Sequence, residues 1–510
     1  MRGKIISKYI QSCVIAASRL PLCRAFFTLL YRIQLALITL SFARQKEISA
    51  LILRRKGVLR DCYPGESDFD ITCVADASAG SLEKCTERFA KTCRILKSLL
   101  FPLGETKLIQ EKDLKLHLRY CWVNYCDFKE GIHFLYRKRG FNTDFLPEDT
   151  CEICVYQKIQ QILIYFIWGK NCFPRKGHQK DRPLFSRSLI KNAYKIHVLL
   201  SYLDQKNTGA LFDYCSLPYR NINFMLKACQ RSRIIRECHD QIRSRMPLFK
   251  TDAGFTFRVS GDQEFPPESA LRDLALALGP IINFPDNLLE EVSFFNQRLY
   301  KFSKVILIKS KAPLDPGQNN MIIDAIGDCQ PALAPYSVIL NYPHPVLLDR
   351  QIWETMLESE MITKVLYSAK RYDLQQNDYL VSGTPQACID IRFIFTDLVE
   401  SLDLVFSITR SHASLYLFEL IFGHILAYNL LLEEKILYLS FEKLKERLGK
   451  MTGLKRDQRE IIELYQNGDY RDFINIDPLA LWKIFKEIII EETEKSRRLL
   501  KALNALKPTG

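Results

Sequence analysis

Asp68 and Asp70 stand two residues apart at the head of the apolar, β-branched run Phe69-Asp70-Ile71-Thr72-Cys73-Val74. Side chains of a strand alternate between its faces, so this spacing predicts both carboxylates on one side of a sheet. Oxygens held that way suit a shared hard cation, Mg²⁺ above all, and such an ion usually also holds a substrate phosphate. Upstream, Ser49-Ala50-Leu51-Ile52-Leu53 predicts a first strand running into the basic turn Arg54-Arg55-Lys56-Gly57. Pro64-Gly65 marks the loop that returns the chain to the second strand.

Gly57-Val58, the loop, and Ser67-Asp68-Phe69-Asp70-Ile71 together resemble the signature of the DNA-polymerase-beta-like nucleotidyltransferase superfamily. That signature is a glycine, usually followed by serine, then a loop and Asp-x-Asp on a strand. The resemblance covers residues 45–110 only. It implies that the turn at Gly57 and Val58, with Lys56, Arg60 and Ser67 beside it, holds the phosphates of a nucleoside triphosphate. It also implies that Asp68 and Asp70 bind two catalytic Mg²⁺ ions. Val58 stands where the family has serine and removes one hydroxyl, although backbone N–H groups of the turn still serve an anion. The chemistry implied is in-line attack of an acceptor hydroxyl on the α-phosphorus, with release of pyrophosphate.

The family also uses a third carboxylate on a later strand, which completes the metal site and helps deprotonate the acceptor. A helix is predicted from Ser81 to Leu100, with apolar or Cys positions at Leu82, Cys85, Phe89, Cys93, Leu96 and Leu100. Phe101-Pro102-Leu103-Gly104 ends it, and Glu105-Thr106-Lys107-Leu108-Ile109 predicts a short strand. Glu105 is therefore the first candidate for catalysis and metal binding, with Asp113 and Asp127 as competitors.

The basic cluster Arg54, Arg55, Lys56 and Arg60 flanks the expected phosphate turn, where it could neutralise a triphosphate. A formal net charge of +14 gives the whole chain an affinity for polyanions without choosing among nucleotide, nucleic acid and anionic membrane. No zinc-finger spacing, recognition-helix pattern or ribonucleoprotein motif accompanies it. Sixteen scattered cysteines suit a reducing, cytoplasmic setting rather than a disulfide framework. Cys151 and Cys154 form the one Cys-x-x-Cys, without the second pair a zinc site needs, and read as core cysteines of a helix.

The fold class expected is α+β: a nucleotidyltransferase-type mixed sheet with flanking helices, a second α+β segment and a helical carboxyl-terminal part. The segments are a helical 1–44, a catalytic domain 45–140, a helical 141–254, an α+β domain 255–407 of unassigned role, and a helical 408–510. Within the third segment, helices are predicted over Thr150–Trp168, Ser188–Leu203 and Ile222–Arg245, with a basic loop from Asn171 to Arg187. In the fourth, Val305–Ile308 and Ser337–Leu340 are strand-like, while Leu348–Glu360 and Ile391–Leu404 are helix-like.

The amino terminus lacks a clean signal peptide, because Gln11, Arg19 and Pro21 interrupt it, and residues 25–43 read as a buried helix near the first strand. Ala413–Leu432 is apolar enough to raise a membrane span, but Glu419, His424 and Asn429 favour a bundle core. A membrane partner is accordingly not expected. The function expected is Mg²⁺-dependent transfer of a nucleoside monophosphate from a nucleoside triphosphate to a small-molecule, protein or nucleic-acid hydroxyl. The alternative is a catalytically silent protein of the same fold that binds or acts as an antitoxin-like partner.

Overall fold

β-Branched and apolar residues concentrate at 48–53 and 69–75, and both runs are buried along their whole length. Burial on both faces places these strands in the interior of a sheet covered on each side. In the computed structural model they form β1 (Ile48–Leu53) and β2 (Phe69–Ala75), an antiparallel pair at the centre of a four-stranded mixed sheet. The outer strands are β3 (Leu103–Gln110), parallel to β2, and β4 (His133–Arg137), antiparallel to β1, giving the order β3-β2-β1-β4. The structure describes residues 20–54, 68–76, 79–99, 102–121, 132–145, 254–284, 288–296, 304–336, 361–401 and 413–505, apart from a few positions within them, and shorter pieces elsewhere.

One face of this sheet is covered by α1 (Pro21–Ala43) and α2 (Ala79–Ser98). Pro21 opens α1, where a missing N–H costs nothing. Its Tyr31, Leu35, Ile38 and Phe42 recur at helical spacing and pack with Leu51, Leu53, Phe69 and Ile71. From α2, Cys85, Phe89, Cys93 and Leu96 join the same core, with the Phe42 and Phe89 rings 5.0 Å apart. Burial pushes the Cys85 thiol up to about 12, and the Glu47 carboxylate adds to the effect. The other face is covered by α3 (Leu114–Tyr120), whose Leu114 and Leu118 meet Ala50, Ile52, Val74 and Ile109.

By contacts the chain divides into two units, and each is assembled from segments distant in sequence. The first joins residues 1–151 to 396–421 and 455–498. Within it, Lys486 and Lys483 of the helix Pro478–Ala505 pair with Glu83 and Glu87 of α2. An aromatic cluster of Phe418, Tyr465, Phe473 and Phe485 holds its helical part together, with Phe418 and Tyr465 rings 4.5 Å apart.

The second unit joins 152–395 to 422–454 and 499–510. It holds a five-stranded sheet and a three-stranded one. In the larger sheet, the strand Leu289–Asn296 carries Glu291, which accepts a hydrogen bond from Tyr367 at 2.5 Å and pairs with Arg371 and Lys309. Burial alone would raise the Glu291 carboxyl, but the hydrogen bond from Tyr367 and the nearby Arg371 and Lys309 cations bring it below the usual range.

The molecule is thus mixed α+β, as the sequence indicates, with three local corrections. Residues 25–43 are helical but buried on one face only, because their apolar residues surround the helix and the sheet covers just one side. Leu348 and Asp349 belong to the strand Val346–Asp349, which extends the larger sheet in parallel beside Lys304–Ser310; a pairing partner outranks their helical periodicity. The carboxyl-terminal hundred residues are not wholly helical. Lys435 adopts a left-handed conformation that ends one helix, and Ile436–Tyr438 then pair in parallel with Gly254–Ser260. Ser337–Leu340, Cys151, Cys154, and nearly all of Thr150–Trp168, Ser188–Leu203 and Ile222–Arg245 lie outside the described residues.

Candidate active site

The strand registers turn the sheet face under α3 into three cross-strand rows of graded polarity. Ala50 of β1, Val74 of β2 and Ile109 of β3 make the apolar row. Ile52, Thr72 and Lys107 make the next. The third row is charged throughout: Arg54, Asp70 and Glu105, with the Arg54 N–H donating to the Asp70 carbonyl oxygen at 2.8 Å. Period-two alternation carried to the strand ends is what brings these three onto one face.

Between β2 and β3 the pairing slips by one residue. Phe69 faces Leu103 and Ile71 faces Thr106, so Asp70 alone opposes both Gly104 and Glu105. Such an extra residue re-aims its neighbours. Here it turns the Glu105 N–H onto Asp70 Oδ1 at 2.8 Å. It also sets Gly104 beneath the two carboxylates. A methyl placed on Gly104 would lie 2.6 Å from both Asp68 Oδ2 and Asp70 Oδ1, so those oxygens are no farther apart than twice that distance. Asp70 is buried and Asp68 exposed, so the pair spans the boundary between core and solvent.

Glu105 sits in the charged row, yet its carboxylate faces cations on both sides. Arg54, only 1% exposed, donates from one terminal nitrogen to Glu105 Oε2 at 3.1 Å and from the other to the Glu105 carbonyl oxygen at 2.7 Å. Lys107 Nζ lies 3.4 Å from Oε1. A charge as deeply buried as Arg54 requires such a partner. His117 of α3 completes this end of the face; burial takes its imidazole well below the usual histidine range, with Lys107 and Arg54 adding in the same direction. His117 is therefore neutral at pH 7.

These positions settle several sequence expectations. Asp68 and Asp70 do converge on one face. Glu105 is on the expected strand and face, but it is tied to Arg54 and Lys107. Asp113 is elsewhere: it is buried against Arg497, whose Nε donates to both carboxylate oxygens at 2.9 Å. Arg54, grouped by sequence with the basic cluster flanking the expected phosphate turn, is a core residue, because strand alternation points it into the sheet face. Lys56, Gly57, Val58, Arg60, Ser67 and Asp127 lie outside the described residues. Lys107 and His117 escaped the sequence reading; the alternation Glu105, Lys107, Ile109 was the available signal for the lysine.

The donor set fits a hard cation through two adjacent carboxylates, Asp68 and Asp70. Among the described residues no group of three His, Cys, Asp or Glu side chains is placed to hold a metal, which is consistent with Glu105 being engaged. Comparison of the chain with family models, with curated proteins and with solved structures gives no match.

Proposed function

We propose that the chain transfers a nucleoside monophosphate from a nucleoside triphosphate to an acceptor hydroxyl, using the Asp68–Asp70 face of the first unit. The observation that carries this reading is the convergence of the two carboxylates above Gly104 at the end of a buried mixed sheet. Asp68 and Asp70 would hold Mg²⁺, which, when bound, neutralises triphosphate oxygens and acidifies the acceptor hydroxyl. The residues of the chain supply position. The Glu105 N–H fixes the rotamer of Asp70, Gly104 leaves room for both carboxylates, and Arg54 keeps the Glu105 carboxylate turned toward itself. Positioning and charge neutralisation carry most of the rate in phosphoryl chemistry.

The test is pyrophosphate release from each of the four ribonucleoside triphosphates with Mg²⁺, using the intact chain and its Asp68→Asn and Asp70→Asn variants. Release by the parent chain that falls by about a hundredfold or more in either variant is expected. Undiminished release in both variants would exclude this site.

One observation favours a second reading. With Glu105 bound by two cations, the face carries two carboxylates where the resembling family uses three. A nucleotide-binding protein without turnover is then the alternative. Calorimetric binding of ATP with Mg²⁺ unaccompanied by pyrophosphate release selects it.

A further inference from the structure

Helix α1 has two apolar faces, and the sheet covers only one of them. Tyr31, Leu35, Ile38 and Phe42 point into the core, whereas Leu22, Phe26, Leu29, Ile33, Leu37 and Leu40 follow the same helical spacing on the opposite side. Of these outer residues Leu22 is 86% exposed, Leu29 58% and Leu37 46%. So long an apolar stripe on a surface marks a site of association. The sequence around it is uniformly basic: residues 1–46 contain eight Lys or Arg and no Asp or Glu. Exposed Arg32 lies on the flank of the stripe, and exposed Arg44 and Lys46 lie at its carboxyl-terminal end.

We infer that the outer face of α1 docks on an anionic lipid bilayer, with the helix lying in the plane of the interface. An apolar stripe flanked by Arg32, Arg44 and Lys46 matches that surface in both respects: the acyl boundary takes the leucines and the phenylalanine, and acidic headgroups take the basic side chains. A protein partner would need acidic groups set around an apolar groove, a narrower requirement than a bilayer imposes. By length and hydropathy α1 could also cross a membrane. The core packing argues against this, because Tyr31, Leu35, Ile38 and Phe42 would have to abandon the central strands of the sheet. Lying flat keeps that core and buries the opposite stripe.

The experiment is flotation of the full-length chain with phosphatidylcholine vesicles, with and without phosphatidylserine. Co-flotation that requires phosphatidylserine and weakens as salt rises is expected. The double variant Leu29→Glu/Leu37→Glu changes only exposed positions, so its circular dichroism should match the parent while vesicle affinity falls about tenfold or more. Leu276→Glu, at an exposed leucine of the other unit, should leave flotation unchanged. Binding that ignores phosphatidylserine, or that survives the double substitution, would overturn the inference. So would retention in the membrane after alkaline carbonate extraction, which signals a spanning helix. Self-association without vesicles that the double substitution abolishes would assign the stripe to a second copy of the chain instead.

Discussion

Gly104 lies directly beneath Asp70: any side chain there would begin 2.6 Å from Asp70 Oδ1 and equally close to Asp68 Oδ2. The obstructing atoms, those two oxygens and Asp68 Cγ at 2.7 Å, belong to short side chains: exposed Asp68 can swing aside, whereas Asp70 would have to leave the Glu105 N–H that holds it. Gly104→Ala should therefore separate the two carboxylates at the cost of about one hydrogen bond. Pyrophosphate release is expected to fall about a hundredfold or more while the thermal midpoint shifts by only a few degrees. Parent-like release in the alanine variant would show that carboxylate convergence is not required.

Arg54 and Glu105 bind across β2, and their roles are unequal. Replacing Arg54 with Met takes one cation from Glu105, leaves Lys107 beside it, and removes the hydrogen bond to the Glu105 carbonyl. Breaking a fully buried pair costs about 3–5 kcal/mol. Glu105 is 31% exposed, so water can partly replace the guanidinium, and about 2–3 kcal/mol is the better expectation. Glu105→Gln keeps an acceptor but takes a counter-charge from the more deeply buried guanidinium, and should cost more, about 3–5 kcal/mol. Urea denaturation followed by the fluorescence of the first unit distinguishes the two. Equal losses in both variants would contradict the asymmetry.

Among the described residues of the first unit, Asp113 and Arg497 form the most enclosed ion pair, with side chains 5% and 6% exposed. Asp113→Asn leaves the guanidinium beside the half-exposed Glu494, 2.8 Å away, so about 2–3 kcal/mol of local stability should be lost. Because Asp113 follows the Gln110 end of β3 and Asp68 and Asp70 lie at its Leu103 end, pyrophosphate release per folded molecule should stay near that of the parent. A selective loss of turnover at parent stability would restore Asp113 as a candidate ligand.

His117 predicts a pH dependence. Its folded imidazole titrates well below the unfolded one, so between those two values the unfolded chain holds a proton that the folded chain lacks. The stabilisation is complete above about pH 6.5 and is lost progressively as pH falls, at up to about 1.4 kcal/mol per pH unit. Protection factors of peptides from β3 and α3, with rates normalised to intrinsic exchange at each pH, should fall more from pH 7.5 to 5.5 in the parent than in His117→Gln. An identical fall in both would exclude the imidazole as the source.

The sequence determined local matters in this protein. The apolar runs at Ile48–Leu53 and Phe69–Ala75, the helix after them and the strand at Leu103–Gln110 follow from composition and periodicity. So does the common face of Asp68 and Asp70, because alternation along a strand is a property of the chain itself. Partnership between strands is not. Only the parallel register of β2 and β3, with its one-residue slip, placed Gly104 under the carboxylates and Glu105 beside Asp70. Only the position of β1 beside β2 drew Arg54 out of the basic turn and across to Glu105, converting a residue of the basic cluster into a buried counter-ion. The same holds for α1. Its hydrophobicity was legible all round, but which side meets the sheet and which meets solvent depends on packing between residues far apart in the chain.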